Sequence, residues 1–187
     1  MNLEVIIKKS IKGSRHHQKE LYALLAKDLY GLAKRYSVDN PQAKDYMQDG
    51  FVKIFENLHI YDASMANILT WSKTILINTI LSDKRKKTIP ITGMELIPET
   101  YQNADENRNP FESDDSRITE LIDALRLLPD HYRQVINLYF LDGWNHQEIA
   151  DQLNIKVGTS RSLLSRGKQI LLSKINLKTK THESKAI

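Results

Sequence analysis

The chain has 187 residues, 41% hydrophobic and 27% charged, which suits one or two small globular domains and argues against wholesale disorder. It contains no cysteine, which excludes a disulfide framework and thiolate metal sites. The first residues, MNLEVIIKKSIKG, lack the apolar run of a signal peptide or a membrane span. We therefore expect a soluble, cytoplasmic protein that does not insert into a membrane.

The net charge of +4 is unevenly distributed along the chain. Residues 1–90 carry 15 Lys and Arg against 9 Asp and Glu, residues 91–120 carry 2 against 8, and residues 121–187 carry 10 against 6. Two basic blocks around an acidic one indicate that the ends bind a polyanion. Solvated helix faces would give the same pattern, so charge alone leaves both interpretations open.

Residues 1–90 show the apolar spacing of helices and no strand alternation. A short helix is predicted at residues 3–11, and the turn-forming SVDNP separates the next two helices. After the loop HIYDASMAN, another helix runs from about residue 68 to 86 and ends in DKRKK. The apolar stripes of the two helices before that loop are Leu21, Leu24 or Leu25, Leu29, Leu32 and Tyr36, then Ala43, Met47, Gly50 or Phe51, Ile54 and Leu58. We expect these helices to form an antiparallel bundle.

Residues 91–117 lack sustained periodicity, are acidic, and follow directly on Pro90. The stretch from residue 88 to 116 contains three of the five prolines. This composition predicts a flexible linker between two domains. The sequence thus predicts an all-α chain of two small helical domains, at residues 1–90 and 118–177.

Helical spacing resumes at Ile118, and a further helix is predicted to start at Pro129-Asp130. LDGW is read as a turn, and the polar segment 178–187 as a frayed tail. Between turn and tail lies NHQEIADQLNIKVGTSRSLLSRG, which fits two short helices joined at Asn154 in a left-handed conformation. The inner face of the second helix is expected at Leu164, Gly167 or Lys168, and Leu171.

This segment is predicted to be a helix-turn-helix that binds DNA. Arg161 suits bidentate pairing with guanine, while Arg166 and Lys168 suit phosphates. A helical hairpin with an ordinary basic surface is the alternative. The residues expected to face solvent or DNA are Lys156, Thr159, Ser160, Arg161, Leu163, Ser165 and Arg166.

The stretch LRLLPDHYRQVINLYFLDGWNHQEIADQLNIKVGTSRSLLSRGKQIL resembles the fourth conserved region of bacterial sigma factors. The resemblance rests on Leu-Pro before a helix, an aromatic turn, and then E-I-A-x-x-L-x-I and G-T-x-x-S-x-L-x-R. DYMQDGFVKIFENL and TWSKTILINTILSDKRKK resemble the second region. Two regions in this order with no third between them resemble the extracytoplasmic-function (ECF) type of the sigma-70 family, over about residues 21–175.

The resemblance implies an alternative sigma factor that binds core RNA polymerase, recognises the minus-35 and minus-10 promoter elements and promotes strand opening. It implies docking on the beta-prime clamp and the beta flap, and an anti-sigma factor as a further partner. No cofactor, metal or catalytic residue is expected. The acidic linker would thread through polymerase, where its charge imitates nucleic acid.

The resemblance implies two sets of site residues in the first domain and gives a role to the DNA-facing residues already named in the second. Phe51 or Phe55 could be an apolar anchor, and Phe51 is otherwise bundle core. Trp71 is either a stacking surface or core, and the cations of residues 84–87 either hold DNA or complement a helix dipole. The polymerase-binding set is Asp45, Gln48, Asp49, Phe51 and Lys53. The minus-10 set is Asn67, Trp71, Lys73, Asn78, Lys84, Arg85, Lys86 and Lys87. The minus-35 set is Lys156, Thr159, Ser160, Arg161, Ser165, Arg166 and Lys168.

This sequence departs from the family pattern at four positions of the C-terminal motif. Asn154 stands where glycine is frequent and Lys156 where Ser or Thr caps the second helix. Ser160 stands in place of an aliphatic residue and Leu163 in place of a basic one. These changes bear on which DNA sequence is read more than on the fold.

Two other classes of function were weighed. A helix-turn-helix regulator acting without polymerase would leave the motifs at residues 45–58 and 71–87 without a purpose. An enzyme would need a constellation that is missing from the sequence, because its six histidines show no metal-ligand spacing and there is no phosphate-binding glycine loop.

Overall fold

The computed structural model describes residues 2–87 and 115–183, and in these ranges the chain is helical, without strands. The predicted all-α class is confirmed. The helices are α1 (Leu3–Ile11), α2 (Arg15–Tyr36), α3 (Asn40–Asn57), α4 (Ile68–Lys87), α5 (Asp115–Arg126), α6 (Asp130–Ile136), α7 (His146–Leu153) and α8 (Val157–Glu183). The chain divides into two compact units, Met1–Ile91 and Thr92–Ile187.

Local signals in the sequence explain where the helices of the first unit begin and end. The Asn2 side chain caps α1, and Gly13, at φ +82°, allows the tight turn into α2. At the SVDNP break, the Asp39 carboxylate accepts a hydrogen bond from the Gln42 backbone N–H at 2.8 Å, with Pro41 in the first turn of α3. The break therefore starts a helix as well as ending one.

The core of the first unit lies between α2, α3 and α4. The predicted stripes are buried. Of the two alternatives Leu24 and Leu25, Leu25 faces inward and Leu24 is 51% exposed. Leu58, the last member of the α3 stripe, lies in a 3-10 turn (Leu58–Ile60) that follows the helix. A Cβ placed on Gly50 would lie 2.5 Å from Leu76 Cδ1, so glycine permits the close crossing of α3 and α4.

In the second unit, α8 packs against α5, α6 and α7. The helix expected after Pro129 is interrupted, because α6 ends at Ile136 and continues as a π-helical turn (Asn137–Leu141). Arg133 is buried and forms an ion pair with Asp130, and its guanidinium also donates to the Arg126 carbonyl at 3.2 Å. The LDGW turn is confirmed, with Gly143 at φ +74°.

Two further predictions concern the linker and the C-terminal tail. Residues 91–114 of the predicted linker (residues 91–117) lie outside the described residues, and its last three residues belong to α5. The frayed tail predicted from residue 178 is wrong as far as Glu183, because α8 continues to that residue. No glycine or proline follows Gly167 to end the helix. Within the two described ranges, no helix is long and apolar enough to cross a membrane.

Candidate nucleic-acid interface

The predicted helix-turn-helix is present in the second unit. Asn145 and Glu148 form a capping box at the start of α7, with the Asn145 side chain accepting from the Glu148 N–H at 3.0 Å and the Glu148 carboxylate accepting from the Asn145 N–H at 2.8 Å. α7 ends at Asn154, whose φ of 54° and ψ of 50° confirm the predicted left-handed turn. α8 then begins at Val157, and its first turns are called the recognition segment (residues 157–168) below.

The inward face of the recognition segment includes most of the predicted residues and two that were expected at the surface. Ser160 and Leu163, expected at the surface, are 0% and 8% exposed. Gly167 and Leu171 are buried as expected, whereas Leu164 is only half-buried. Positions 160, 163, 167 and 171 recur at helical spacing, so they form one stripe against the rest of the unit. The predicted exposure of Ser160 and Leu163 is therefore wrong.

Lys168 also lies on the buried side of α8. Its side chain is 5% exposed, which corrects the expectation that it is free to contact a phosphate. A lysine in this position packs its aliphatic stem along apolar neighbours. The cations that α8 offers to solvent in the recognition segment and just before it are therefore those of Lys156, Arg161 and Arg166.

The outward face of the recognition segment retains most of the predicted DNA contacts. Lys156, Arg161 and Ser165 are exposed, and Thr159 and Arg166 are half-buried. A helix in the major groove uses such residues, with Arg on base edges and flanking cations on phosphates. This face carries hydrogen-bond donors and cations, and the sequence has no acidic residue between Asp151 and Glu183.

His146, which sequence reasoning treated as a surface residue, contacts the recognition segment. Its Nδ1 lies 2.9 Å from the buried Ser160 hydroxyl oxygen, and its ring stacks on Tyr139 with centroids 4.8 Å apart. The signal in the sequence was Ser160 itself, because a hydroxyl on the inner face of a helix needs a partner.

The loop before α4 and the first turn of that helix contain two of the predicted minus-10 residues, Asn67 and Trp71. The Asn67 side chain accepts a hydrogen bond from the Thr70 N–H at 2.8 Å and so caps α4. Trp71 is half-buried and meets Tyr61 edge to face at 5.3 Å, while the Tyr61 hydroxyl donates to the Ala66 carbonyl at 3.0 Å. Trp71 thus lies between its two predicted places, because its side chain is partly packed and partly exposed to solvent.

The predicted basic end of α4 is only partly available to DNA. Lys84 is 6% exposed, because it continues the buried series Leu76, Ile77, Ile80 and Leu81 at helical spacing. The prediction that Lys84 contacts DNA needs correction for this reason. Lys73 is half-buried and Asn78 exposed. The side chains of Arg85, Lys86 and Lys87 lie outside the described residues.

The outward face of α3 carries the predicted polar docking residues. Asp45, Gln48, Asp49 and Lys53 are exposed. The Lys53 ammonium lies 2.8 Å from the Glu56 carboxylate, and this hydrogen bond raises the pKa of Lys53. Phe51, in contrast, is 5% exposed and packs on Tyr22 at 4.3 Å between ring centroids. Phe51 is therefore largely core, which is one of its two predicted places, and it also lines the groove described next.

An apolar groove of about 820 Å³, which sequence reasoning missed, lies between α2 and α3. Tyr22 and Val52 on its walls are 45% and 50% exposed. The groove also includes Gln48 of the predicted docking set. Its other lining residues include Tyr30, Met47, Phe51 and Phe55. The groove and the exposed residues of α3, which share Gln48, are together called the α2–α3 surface below.

Comparison with known proteins places both units in one family. Residues 21–88 match the family Sigma-70 region 2, and residues 118–171 match Sigma-70, region 4. The chain is 28% identical over 160 residues to the ECF RNA polymerase sigma factor SigM of Bacillus subtilis, covering 84% of this chain and 94% of that protein. It is 32% identical over 155 residues to the ECF RNA polymerase sigma factor SigE of Mycolicibacterium smegmatis, covering 81% of this chain and 59% of that protein.

A solved structure gives the same relationship at the level of the fold. The sigma factor RpoE of Bartonella quintana, in complex with the anti-sigma factor NepR, matches with a TM-score of 0.51 at 22% identity, covering 84% of this chain and 96% of that one. The two family regions occur in order along this chain, and relatives of one type match it over most of its length. The chain therefore belongs to the sigma-70 family and is an alternative sigma factor of the ECF type.

Proposed function

We propose that the two units divide the work of promoter recognition. Residues 1–90 bind core RNA polymerase and read and open the minus-10 element, residues 118–177 read the minus-35 element, and residues 91–117 join them. The polymerase carries out the chemistry, and the chain itself has no catalytic role. The observation that carries this proposal is a capped helix-turn-helix with an exposed Arg161, in a chain whose other unit has the α2–α3 surface.

Minus-35 recognition is assigned to the outward face of the recognition segment. Arg161 is exposed near the N-terminal end of α8, the part of a recognition helix that meets base edges. Its guanidinium can donate two hydrogen bonds to guanine, whereas Lys156 and Arg166 suit the phosphates on either side. Thr159 and Ser165 supply hydroxyl donors on the same side of the helix.

Polymerase docking is assigned to the α2–α3 surface. It combines the apolar groove, whose lining also includes Lys44 and Gln48, with the exposed Asp45, Asp49 and Lys53 elsewhere on α3. Apolar side chains next to charged and polar ones are the usual composition of a protein interface. Phe51 is largely buried and contributes to the lining of the groove.

Minus-10 opening is assigned to the loop before α4 and the exposed side of that helix. Asn67, Trp71, Lys73 and Asn78 offer hydrogen-bonding, stacking and cationic groups to an unpaired strand. Arg85, Lys86 and Lys87 remain proposed phosphate contacts. Lys84 is left out of this set because its side chain is buried.

An anti-sigma factor is proposed as the regulatory partner. RpoE of Bartonella quintana is described in complex with the anti-sigma factor NepR. In the present chain the α2–α3 surface is an apolar area that such a partner can cover, and covering it would block polymerase.

Arg161→Ala tests the minus-35 assignment. We expect the variant holoenzyme to lose about tenfold or more of its preference for a dependent promoter over the same promoter with a substituted minus-35 element, because one bidentate Arg–guanine pair provides about 1–3 kcal/mol of discrimination. Lys174→Ala, a cation further along α8, is the matched control and should retain the preference. An equal loss on both templates would assign Arg161 to a phosphate instead.

A further inference from the structure

Ser160 occupies an unusual place in the recognition segment. It lies between Thr159 and Arg161 in the sequence, the two residues proposed to reach bases, yet its own side chain is fully buried. Its hydroxyl meets His146 Nδ1 at 2.9 Å, across 14 residues of sequence. A buried hydroxyl on the inner face is therefore tied to the other helix of the motif.

His146 is fixed from a third element as well. It is the first residue of α7, directly after the capping residue Asn145. Its ring stacks on Tyr139 with an interplanar angle of 24°, and Tyr139 belongs to the π-helical turn before α7. The three side chains thus link that turn, α7 and α8.

The energetics of this link favour a single rotational setting of α8. Leaving a buried polar group without its partner costs about 1–3 kcal/mol, and a hydrogen bond weakens steeply when its angle departs from linearity. A purely apolar contact at the same place would tolerate small rotations, because dispersion contacts have little directional preference. A rotation of α8 moves Thr159 and Arg161 together with Ser160, since they are adjacent on the same turn.

We infer that His146 and Ser160 are positioning residues for minus-35 recognition: their hydrogen bond, supported by Tyr139, sets the rotation of the recognition segment and so the aim of Arg161. This inference rests on the proposed function of Arg161. Neither residue needs to touch DNA for the effect. The link acts on discrimination between sequences more than on general affinity for DNA, because phosphate contacts tolerate small shifts better than bidentate base contacts.

A double-mutant cycle in the full-length holoenzyme tests the inference. The variants are Ser160→Ala, His146→Ala and the double variant, and the probes are a promoter mapped by run-off transcription and the same fragment with its minus-35 element substituted. Each single variant should reduce the ratio of binding to the two fragments by about fivefold, the equivalent of about 1 kcal/mol. The double variant should lose no more than His146→Ala alone, since His146→Ala already breaks the bond that Ser160→Ala removes.

His146→Asn provides the conservative control, because the Asn side-chain amide places a nitrogen or oxygen near the position of Nδ1. It should restore most of the discrimination that His146→Ala loses. Thermal unfolding of each variant, followed by circular dichroism, identifies general destabilisation. Additive losses in the double variant, equal losses on both fragments, or no rescue by His146→Asn would each overturn the inference. Two other results would instead overturn the proposed function itself. One is a wild-type protein that binds both fragments equally, and the other is an Arg161→Ala variant that keeps the full preference.

Discussion

Gly167 is the residue on which the packing of α8 most directly depends. A Cβ at this position would lie 3.0 Å from Ile136 Cδ1 and 3.1 Å from Tyr132 Cβ. Both neighbours are buried, at 0% and 4% exposure, so neither has space to retreat into solvent. The absence of a side chain therefore lets α8 lie directly on α6.

Gly167→Ala should destabilise the second unit by about 1–2 kcal/mol. Overpacking a filled core costs about 1–3 kcal/mol, and the better helix propensity of alanine returns up to about 1 kcal/mol. The destabilisation is measured by urea unfolding followed by tryptophan fluorescence, with each variant made in a Trp71→Phe background. Trp144 of the second unit is then the remaining tryptophan, so the signal reports on that unit. Gly158→Ala, on the same helix with nothing within 4 Å of the added Cβ, should not be destabilising. Equal stability of the two variants would contradict this account.

His131 makes the stability of the second unit depend on pH. It is half-buried beside Tyr132, and burial lowers its pKa from the ordinary 6.5, with nearby Asp130 opposing the shift. The folded state therefore binds this proton less readily than the unfolded state does. The contribution is fully present above pH 6.5 and is lost as the pH falls through the lowered pKa.

His131→Asn should remove this dependence. The free energy of unfolding of wild type and variant is compared between about pH 8 and about pH 5. The difference between the two proteins should be constant above neutral pH, and below it the wild type should lose stability relative to the variant. The Trp71→Phe background again restricts the signal to the second unit. A difference that stays constant across the range would show that His131 titrates alike in both states.

Individual buried polar residues were the least predictable part of the sequence. Spacing identified the apolar stripes, but Ser160 and Lys84 were expected to be available to DNA, and both are buried. Lys168 was expected either on the inner face or at a phosphate, and it is buried on the inner face. Their burial depends on how each helix is rotated about its axis relative to its neighbours. A rotation equivalent to one residue changes which polar side chains are buried but leaves the apolar spacing in the sequence the same. His146 was missed for the same reason, since its partner lies 14 residues away.

At the scale of elements, local chemistry predicted the helix boundaries that have a capping or turn-forming residue. Asp39 and Asn154 carry signals that act within four residues, and both behave as predicted. The π-helical turn at Asn137–Leu141 and the extension of α8 to Glu183 carry no comparable signal. Their extent depends on packing, which the sequence does not show directly.

The α2–α3 surface is an element-scale feature with a direct test. Val52→Arg should weaken binding of core polymerase by about tenfold or more, because it places a charge on a half-exposed apolar wall of the groove. Val38→Arg is the matched control: Val38 is the same residue type at nearly the same exposure, 52% against 50%, and it does not line the groove. Equal binding by the two variants, measured by native gel or fluorescence anisotropy, would move docking elsewhere.

At the scale of the whole molecule, the distribution of charge follows the two units only in part. The basic blocks, residues 1–90 and 121–187, lie in the two units that have proposed DNA contacts, and the acidic side chains of residues 91–120 all lie in the first part of the second unit. The two motifs, their order and the helical class were predictable from sequence. The groove was not, because its walls come from α2 and α3, whose exposed apolar residues look like ordinary surface positions one by one.

Run-off transcription on genomic DNA measures whether this chain directs core polymerase to promoters. Core RNA polymerase is assayed with and without the full-length protein, and transcript starts are mapped. We expect a set of starts that require the protein and share sequence elements near minus 35 and minus 10. If no start depends on the protein, the sigma factor account is contradicted.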